Sequence, residues 1–181
     1  RALMPFITGG FPSVESTRDV LPVLEAAGAS MVEIGFPFSD PIADGPVIAS
    51  SMHDALDRGL RIETLFQLVR DVREEVSLGL LAMVSHSIIE RIGISTFFSQ
   101  AASAGYDGVI VPDMDVSQTE AMGDQAARHD LSLTFLVAPT TPPARIAAIT
   151  AACRGFVYLL ARAGLTGEQE AAPDIAEAVG R

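Results

Sequence analysis

Short, continuously apolar runs recur along this chain between amphipathic stretches, and none of them alternates polar with apolar residues. A strand buried on one face reads as alternation, whereas a strand covered on both faces reads as an unbroken Val/Ile/Leu/Phe run. The runs Leu3–Thr8, Met31–Gly35, Leu78–Met83, Gly108–Val111, Leu133–Val137 and Phe156–Leu160 are all of the second kind. Helical periodicity fills the intervals. Ser13–Ala27 follows Pro12, with Ser13 placed to cap its start and Gly28 to end it. Ile62–Val76, Ser95–Ala104 (stopped by Gly105), Gln118–His129 and Pro143–Cys153 repeat the pattern, and a sixth helix is expected over Pro173–Val179.

Strands separated by helices, at a repeat of roughly 24 to 29 residues with one longer unit, imply an α/β fold of the (β/α)₈ TIM-barrel type. The rival is a doubly wound sheet, but no G-x-G-x-x-G turn follows the first strand. Six βα units are legible where a closed barrel needs about eight. The expectation is therefore a single barrel domain over residues 1–181, incomplete, lacking a short N-terminal segment and the last two units.

Composition narrows the chemistry. The chain has 23 acids against 12 bases, a formal charge of -11, which disfavours nucleic acid or an anionic membrane surface as a partner. Every base is Arg, so no Lys is present to form a Schiff base with a carbonyl substrate or to hold pyridoxal phosphate. A lone Cys153 suits a reducing, cytoplasmic setting and reads as a core or helix-end residue. No apolar run is long enough to span a bilayer, and no compact His/Cys/carboxylate pattern suggests a metal.

In a parallel barrel the residues that act on substrate lie at the C-terminal strand ends and in the following loops. Glu33 lies inside the second strand run, between Val32 and Ile34. A carboxylate there costs several kcal/mol unless it is paired or protonated. A structural role, satisfied by a neighbour, and a catalytic role are both open. The loop that follows, Gly35 to Pro46, holds three Pro and two Gly in its twelve residues, which excludes a helix or strand interior. It carries Asp40 and Asp44, whose ordinary role would be turn and cap chemistry.

The run from Glu33 through Gly35-Phe36-Pro37-Phe38-Ser39-Asp40-Pro41 to Asp44-Gly45-Pro46 closely resembles the signature segment of tryptophan synthase α subunits. Further matches keep their order: Pro5 to Pro12, Gly105 to Asp113, Phe135 to Pro142, and Gly155 to Gly167. The resemblance implies a retro-aldol lyase that splits indole-3-glycerol phosphate into indole and glyceraldehyde 3-phosphate in tryptophan biosynthesis. It implies Glu33 as general acid/base and Asp44 as the carboxylate that steadies the indole N–H. A strand carboxyl with a raised pKa would suit proton exchange, while the more solvated Asp44 is expected to stay ionised. By the same resemblance Phe6 and Tyr158 line the substrate pocket. Thr166 belongs to a lid over the site, and the Gly167 N–H lies near the substrate phosphate. Pro37 and Asp40, on an exposed rim, would contact a β subunit in an α₂β₂ assembly. No cofactor is implied for this chain; pyridoxal phosphate would belong to that partner.

The chain also departs from the family pattern. Ala49 stands where a Gln is usual, and Asp54 where an Arg is usual. Ser85-His86-Ser87-Ile88 replaces a Tyr-Tyr-Asn-Pro type segment, and Asp115 replaces a Pro. These changes keep two alternatives open: a weakly active or inactive homologue serving as a partner or allosteric subunit, and a barrel lyase for another phosphorylated compound. His86, at a strand end, reads chiefly as a loop histidine, and His53 and His129 as helix-surface residues.

Overall fold

The computed structural model describes residues 2–41, 44–114 and 119–161. Five strands, β1 (Phe6–Thr8), β2 (Met31–Gly35), β3 (Gly79–Met83), β4 (Gly108–Ile110) and β5 (Ser132–Thr134), form one sheet in chain order. Every pairing is parallel, and every hydrogen-bonded neighbour is the next strand in the chain. A doubly wound sheet reverses its strand order at a switch point. Uninterrupted progression instead places successive right-handed crossovers on one face, as in a barrel. The architecture is a partial (β/α)₈ barrel.

The connecting helices are α1 (Val14–Ala26), α2 (Pro46–Asp57), α3 (Ile62–Val72), α4 (His86–Ile92), α5 (Ile94–Ala104), α6 (Thr119–Arg128) and α7 (Pro143–Ala152). Local signals account for their ends. The Ser16 N–H donates to Ser13 Oγ at 3.1 Å, capping α1, and Gly105 ends α5 in the left-handed region at φ +95°. Two helices escaped sequence reading. Pro46 looked like the end of a turn but occupies the first turn of α2, where its missing N–H costs nothing. The seven residues of α4 are too few to show periodicity. The helix expected over Pro173–Val179 lies outside the described residues.

The run Leu133–Val137 is not one strand. It divides at Phe135 into β5 and a two-residue β6 (Leu136–Val137), which pairs in parallel with β7 (Tyr158–Leu159). The Phe135 N–H turns to the sulfur of Cys153, the residue that ends α7, at 3.4 Å. The Phe135 carbonyl still accepts from Tyr158 N–H at 3.1 Å, so the barrel wall continues across the break.

The parallel register sorts the strand residues into rows. Phe6, Glu33, Leu81, Gly108 and Ser132 align across β1 to β5. Ile7, Ile34, Ala82, Val109 and Leu133 form the next row, and Thr8, Gly35, Met83, Ile110 and Thr134 the one after. Side chains alternate between faces along a strand. The middle row belongs to the apolar core beneath the helices, together with Leu65, Val69, Phe97 and Ala101, while Leu81 and Ile110 are buried but outside that core. The first and third rows therefore face the barrel interior. Each fully buried Val, Leu or Ile of the middle row contributes about 1.5–3 kcal/mol, so a one-residue slip in register is strongly disfavoured.

At the opposite, N-terminal face Arg73 ties strand starts together. Its guanidinium donates to the carbonyls of Gly105, Val76 and Leu78 and to Asp107 Oδ2, which also accepts the Leu80 N–H at 2.7 Å. Phe36, Phe66, Phe97 and Tyr106 stack edge-on and tilted in the core above it, with centroids 5.6 to 6.2 Å apart. The Tyr106 hydroxyl is buried there and has no hydrogen-bond partner among the described residues. An unmet buried hydroxyl costs about 1–3 kcal/mol. Tyr106→Phe keeps the ring and removes the cost, and it is expected to raise unfolding free energy by about 1 kcal/mol in urea titrations; destabilisation would contradict this packing.

Candidate active site

Glu33 occupies the centre of β2 in the first interior row, and only 2% of its surface is exposed. Neither Val32 nor Ile34 offers it a partner, because both point the other way into the helix-side core. Phe6 aligns with it across the ladder, and the Phe6 ring lies over Gly35 so closely that a Cβ there would approach ring carbons at 2.5 and 2.6 Å. The absence of a side chain at Gly35 is thus what makes room for the Phe6 ring. Burial pushes Glu33 up to about 7, and a hydrogen bond from the Tyr158 hydroxyl pulls it partly back. Its Oε2 is buried and has no hydrogen-bond partner among the described residues. Tyr158 reaches the carboxyl from β7, and burial first, then the Glu33 charge, raises its phenol to about 12. The phenol therefore stays protonated at neutral pH and acts as a donor.

The loop after β2 carries Asp44 to the entrance of α2. Its N–H donates to the Pro41 carbonyl at 3.1 Å, and the side chain is partly buried. Burial raises the Asp44 carboxyl as well. Asp44 is the more solvated of the two acids, partly buried where Glu33 is 2% exposed, and burial raises both carboxyls. The expectation for Pro37 is corrected. It is buried within the chain rather than exposed on a rim. Ser39 and Asp40 are the exposed part of the segment. Thr166 and Gly167 lie outside the described residues, as does Asp115.

A cavity of about 410 Å³ opens beside β1, lined by Phe6, Thr8, Ser16, Thr17, Ile48 and Ser51 among others. It brings Phe6 to a hollow, but Glu33 and Asp44 are not among its lining residues. Thr8 and Ser51 share a hydrogen bond at 2.7 Å along its wall, joining β1 to α2. Ala49, one of the departures from the signature, is half-buried on the same helix.

The rim after β3 and β4 holds a polar network that the sequence did not announce. Ser85 Oγ donates to Asp113 Oδ2 at 2.6 Å, and the His86 N–H donates to Oδ1 at 2.8 Å. The Ser87 hydroxyl lies 2.8 Å from that of Ser85. His86 is the first residue of α4, and its Nε2 is 3.3 Å from Glu90 Oε1 without the alignment of a hydrogen bond. Another unannounced tie joins His53 Nε2 on α2 to the Ser39 carbonyl at 3.1 Å. Neither tie has a local sequence signal: the Asp113 network joins residues that the β3-to-β4 crossover brings together, and the His53 tie depends on how α2 sits against the loop before it. Among the described residues no group of three His, Cys, Asp or Glu side chains is placed to hold a metal, and no helix is long and apolar enough to cross a membrane.

A profile described as the tryptophan synthase alpha chain matches residues 1–181. The tryptophan synthase alpha chain of Microcystis aeruginosa is 40% identical over 166 residues, covering 92% of this chain and 63% of that protein. That of Chloroflexus aurantiacus is 42% identical over 170 residues, covering 93% and 64%. Among solved structures, a tryptophan synthase alpha-subunit from Pyrococcus furiosus superposes with a TM-score of 0.83 at 35% identity, covering 87% of this chain and 64% of that one. Tryptophan synthase from M. tuberculosis matches with a TM-score of 0.83 at 32% identity, covering 87% and 63%. The chain spans 62% to 66% of the length of these and similar curated relatives.

The buried carboxyl has a stability signature. Glu33 holds its proton to about pH 7 when folded, against 4.5 as the ordinary value, so between those limits the native state carries a proton that the unfolded chain has released. Stability accordingly falls as pH rises through that window and levels off above it. Glu33→Gln should abolish this slope and exceed the parent by up to about 3 kcal/mol at pH 8, measured by denaturant unfolding across pH. Tyr158→Phe removes the donor that lowers the carboxyl, so the Glu33 midpoint should move further up in a ¹³C NMR titration; an unchanged midpoint would dismiss the pairing.

Proposed function

The chain belongs to the tryptophan synthase alpha chain family, and on that premise we propose that it cleaves indole-3-glycerol phosphate to indole and glyceraldehyde 3-phosphate. The observation that carries this reading is Glu33: interior-facing, 2% exposed, with a pKa near 7 and one oxygen without a partner. A carboxyl titrating near neutrality both gives and takes a proton at the working pH, which is what a retro-aldol cleavage requires. Glu33 as acid protonates indole C3, forming the indolenine. As carboxylate it, or a water it orients, removes the C3′ hydroxyl proton as the C3–C3′ bond breaks. The electron pair of that bond returns to the ring, the C3′ carbon leaves as the aldehyde of glyceraldehyde 3-phosphate, and the net proton count is zero. Asp44 as carboxylate accepts the indole N–H and offsets the positive charge that develops there.

Phe6 supports the apolar side of the indole, and Tyr158 orients the Glu33 carboxyl beside it. Thr166 and Gly167, which lie outside the described residues, are the remaining substrate-binding residues that this reading proposes. The chain itself uses no cofactor in this scheme. Its partner is a β subunit carrying pyridoxal phosphate, in an α₂β₂ assembly within the cytoplasm, and the exposed Asp40 supports a docking contact through this loop. The rim network on Asp113 favours a second reading, an inactive homologue that serves as a partner subunit, because Ser85 and Ser87 stand where the family pattern has an aromatic residue and an Asn.

Indole release from indole-3-glycerol phosphate, with and without a β subunit, separates the two. The lyase reading expects turnover that falls by about 10²–10⁴ in Glu33→Gln, with Asp44→Asn also strongly impaired and both variants folded. Activation of the β subunit by a parent protein that releases no indole would establish the second reading instead.

A further inference from the structure

We propose that His53 is a positioning residue that holds the Asp44-bearing loop in its working geometry, an assignment that rests on the lyase reading of Asp44. The loop leaves β2 at Gly35, and the Phe36 N–H is anchored on the Met83 carbonyl at 2.8 Å. It re-enters regular structure at Pro46, in the first turn of α2. Between these points the exposed Ser39 and Asp40 lean outward, with the Ser39 hydroxyl committed to Asp40 Oδ2 at 3.0 Å. The Ser39 carbonyl is taken by His53 Nε2 at 3.1 Å, fourteen residues further on.

His53 is suited to this because α2 is itself fixed from below. Ser51 hydrogen-bonds Thr8 on β1 at 2.7 Å, and Met52 and Ala55 are buried, 6% and 1% exposed. The imidazole stands on the exposed side of this anchored helix. Rigidity is thus carried from β1 through Ser51 and α2 to His53 and on to Ser39, two residues before the Pro41 carbonyl that accepts the Asp44 N–H. The carbonyl can only accept, so Nε2 carries the hydrogen, whether the ring is neutral or protonated. A small displacement of a charged group at a reacting centre lowers turnover much more than binding, so the latch bears on kcat.

The amide of Asp44, bonded to the Pro41 carbonyl, reports directly on loop order. Hydrogen exchange at Ser39, Asp40 and Asp44 by ¹⁵N NMR and steady-state indole release are measured for the parent, His53→Ala and His53→Gln. The Gln side chain presents an N–H donor near the position of Nε2. The latch predicts several-fold faster exchange at Asp44 in His53→Ala, a roughly 5- to 10-fold fall in kcat with KM changed much less, and recovery of both in His53→Gln. Unaltered exchange in His53→Ala, equal impairment of both variants, or full turnover despite a loosened loop would each overturn it. A parent without indole release would remove the lyase reading alone, since exchange at Asp44 still decides whether His53 holds the loop.

Discussion

A parallel strand covered on both sides has no face to offer water, so a carboxyl built into it must be accommodated by the protein itself. The five-stranded ladder places Glu33 in an interior row, and the adjoining row of Ile34, Ala82, Val109 and Leu133 locks the register by burial against the helices. Moving Glu33 out of the interior would require β2 to slip by one residue and turn Val32 and Ile34 off the helix-side core. Helix packing behind the sheet is therefore what fixes the acid in front of it.

The cost of that arrangement is visible as an unpartnered carboxyl oxygen and a pKa near 7. Tyr158 relieves it only in part, and from a strand far along the chain. Full satisfaction by more donors would return the acid to its ordinary range, away from the near-neutral titration that the proposed mechanism asks of it. Asp44 shows a milder form of the same treatment, held at the mouth of α2 with burial raising its pKa. The two acids are separated by environment rather than by kind.

Polar departures from the family pattern are not loose ends in the fold. Ser85, Ser87 and the His86 backbone N–H gather on Asp113 and close the rim between β3 and β4. A hydroxyl network there replaces packing by a larger side chain with directional bonds, which hold the turn but surrender apolar surface.

Strand positions, the buried parallel sheet, most helices and the burial of Glu33 were legible from the sequence, because two-faced burial, capping residues and a charge in an apolar run are local signals. The residue run Leu133–Val137 looked continuous because the diversion of the Phe135 N–H to Cys153 depends on α7 lying nearby. Pro37 looked like a rim residue because Pro-rich composition marks a loop but not its depth. The sequence by itself determined which residues must be buried and which carboxyl must be perturbed, since both follow from side-chain chemistry and spacing along the chain. Only the tertiary structure decided which groups meet that carboxyl and its loop: crossovers bring Tyr158 on β7 to Glu33 on β2, and the seating of α2 brings His53 to the Ser39 carbonyl, neither of which follows from spacing along the chain.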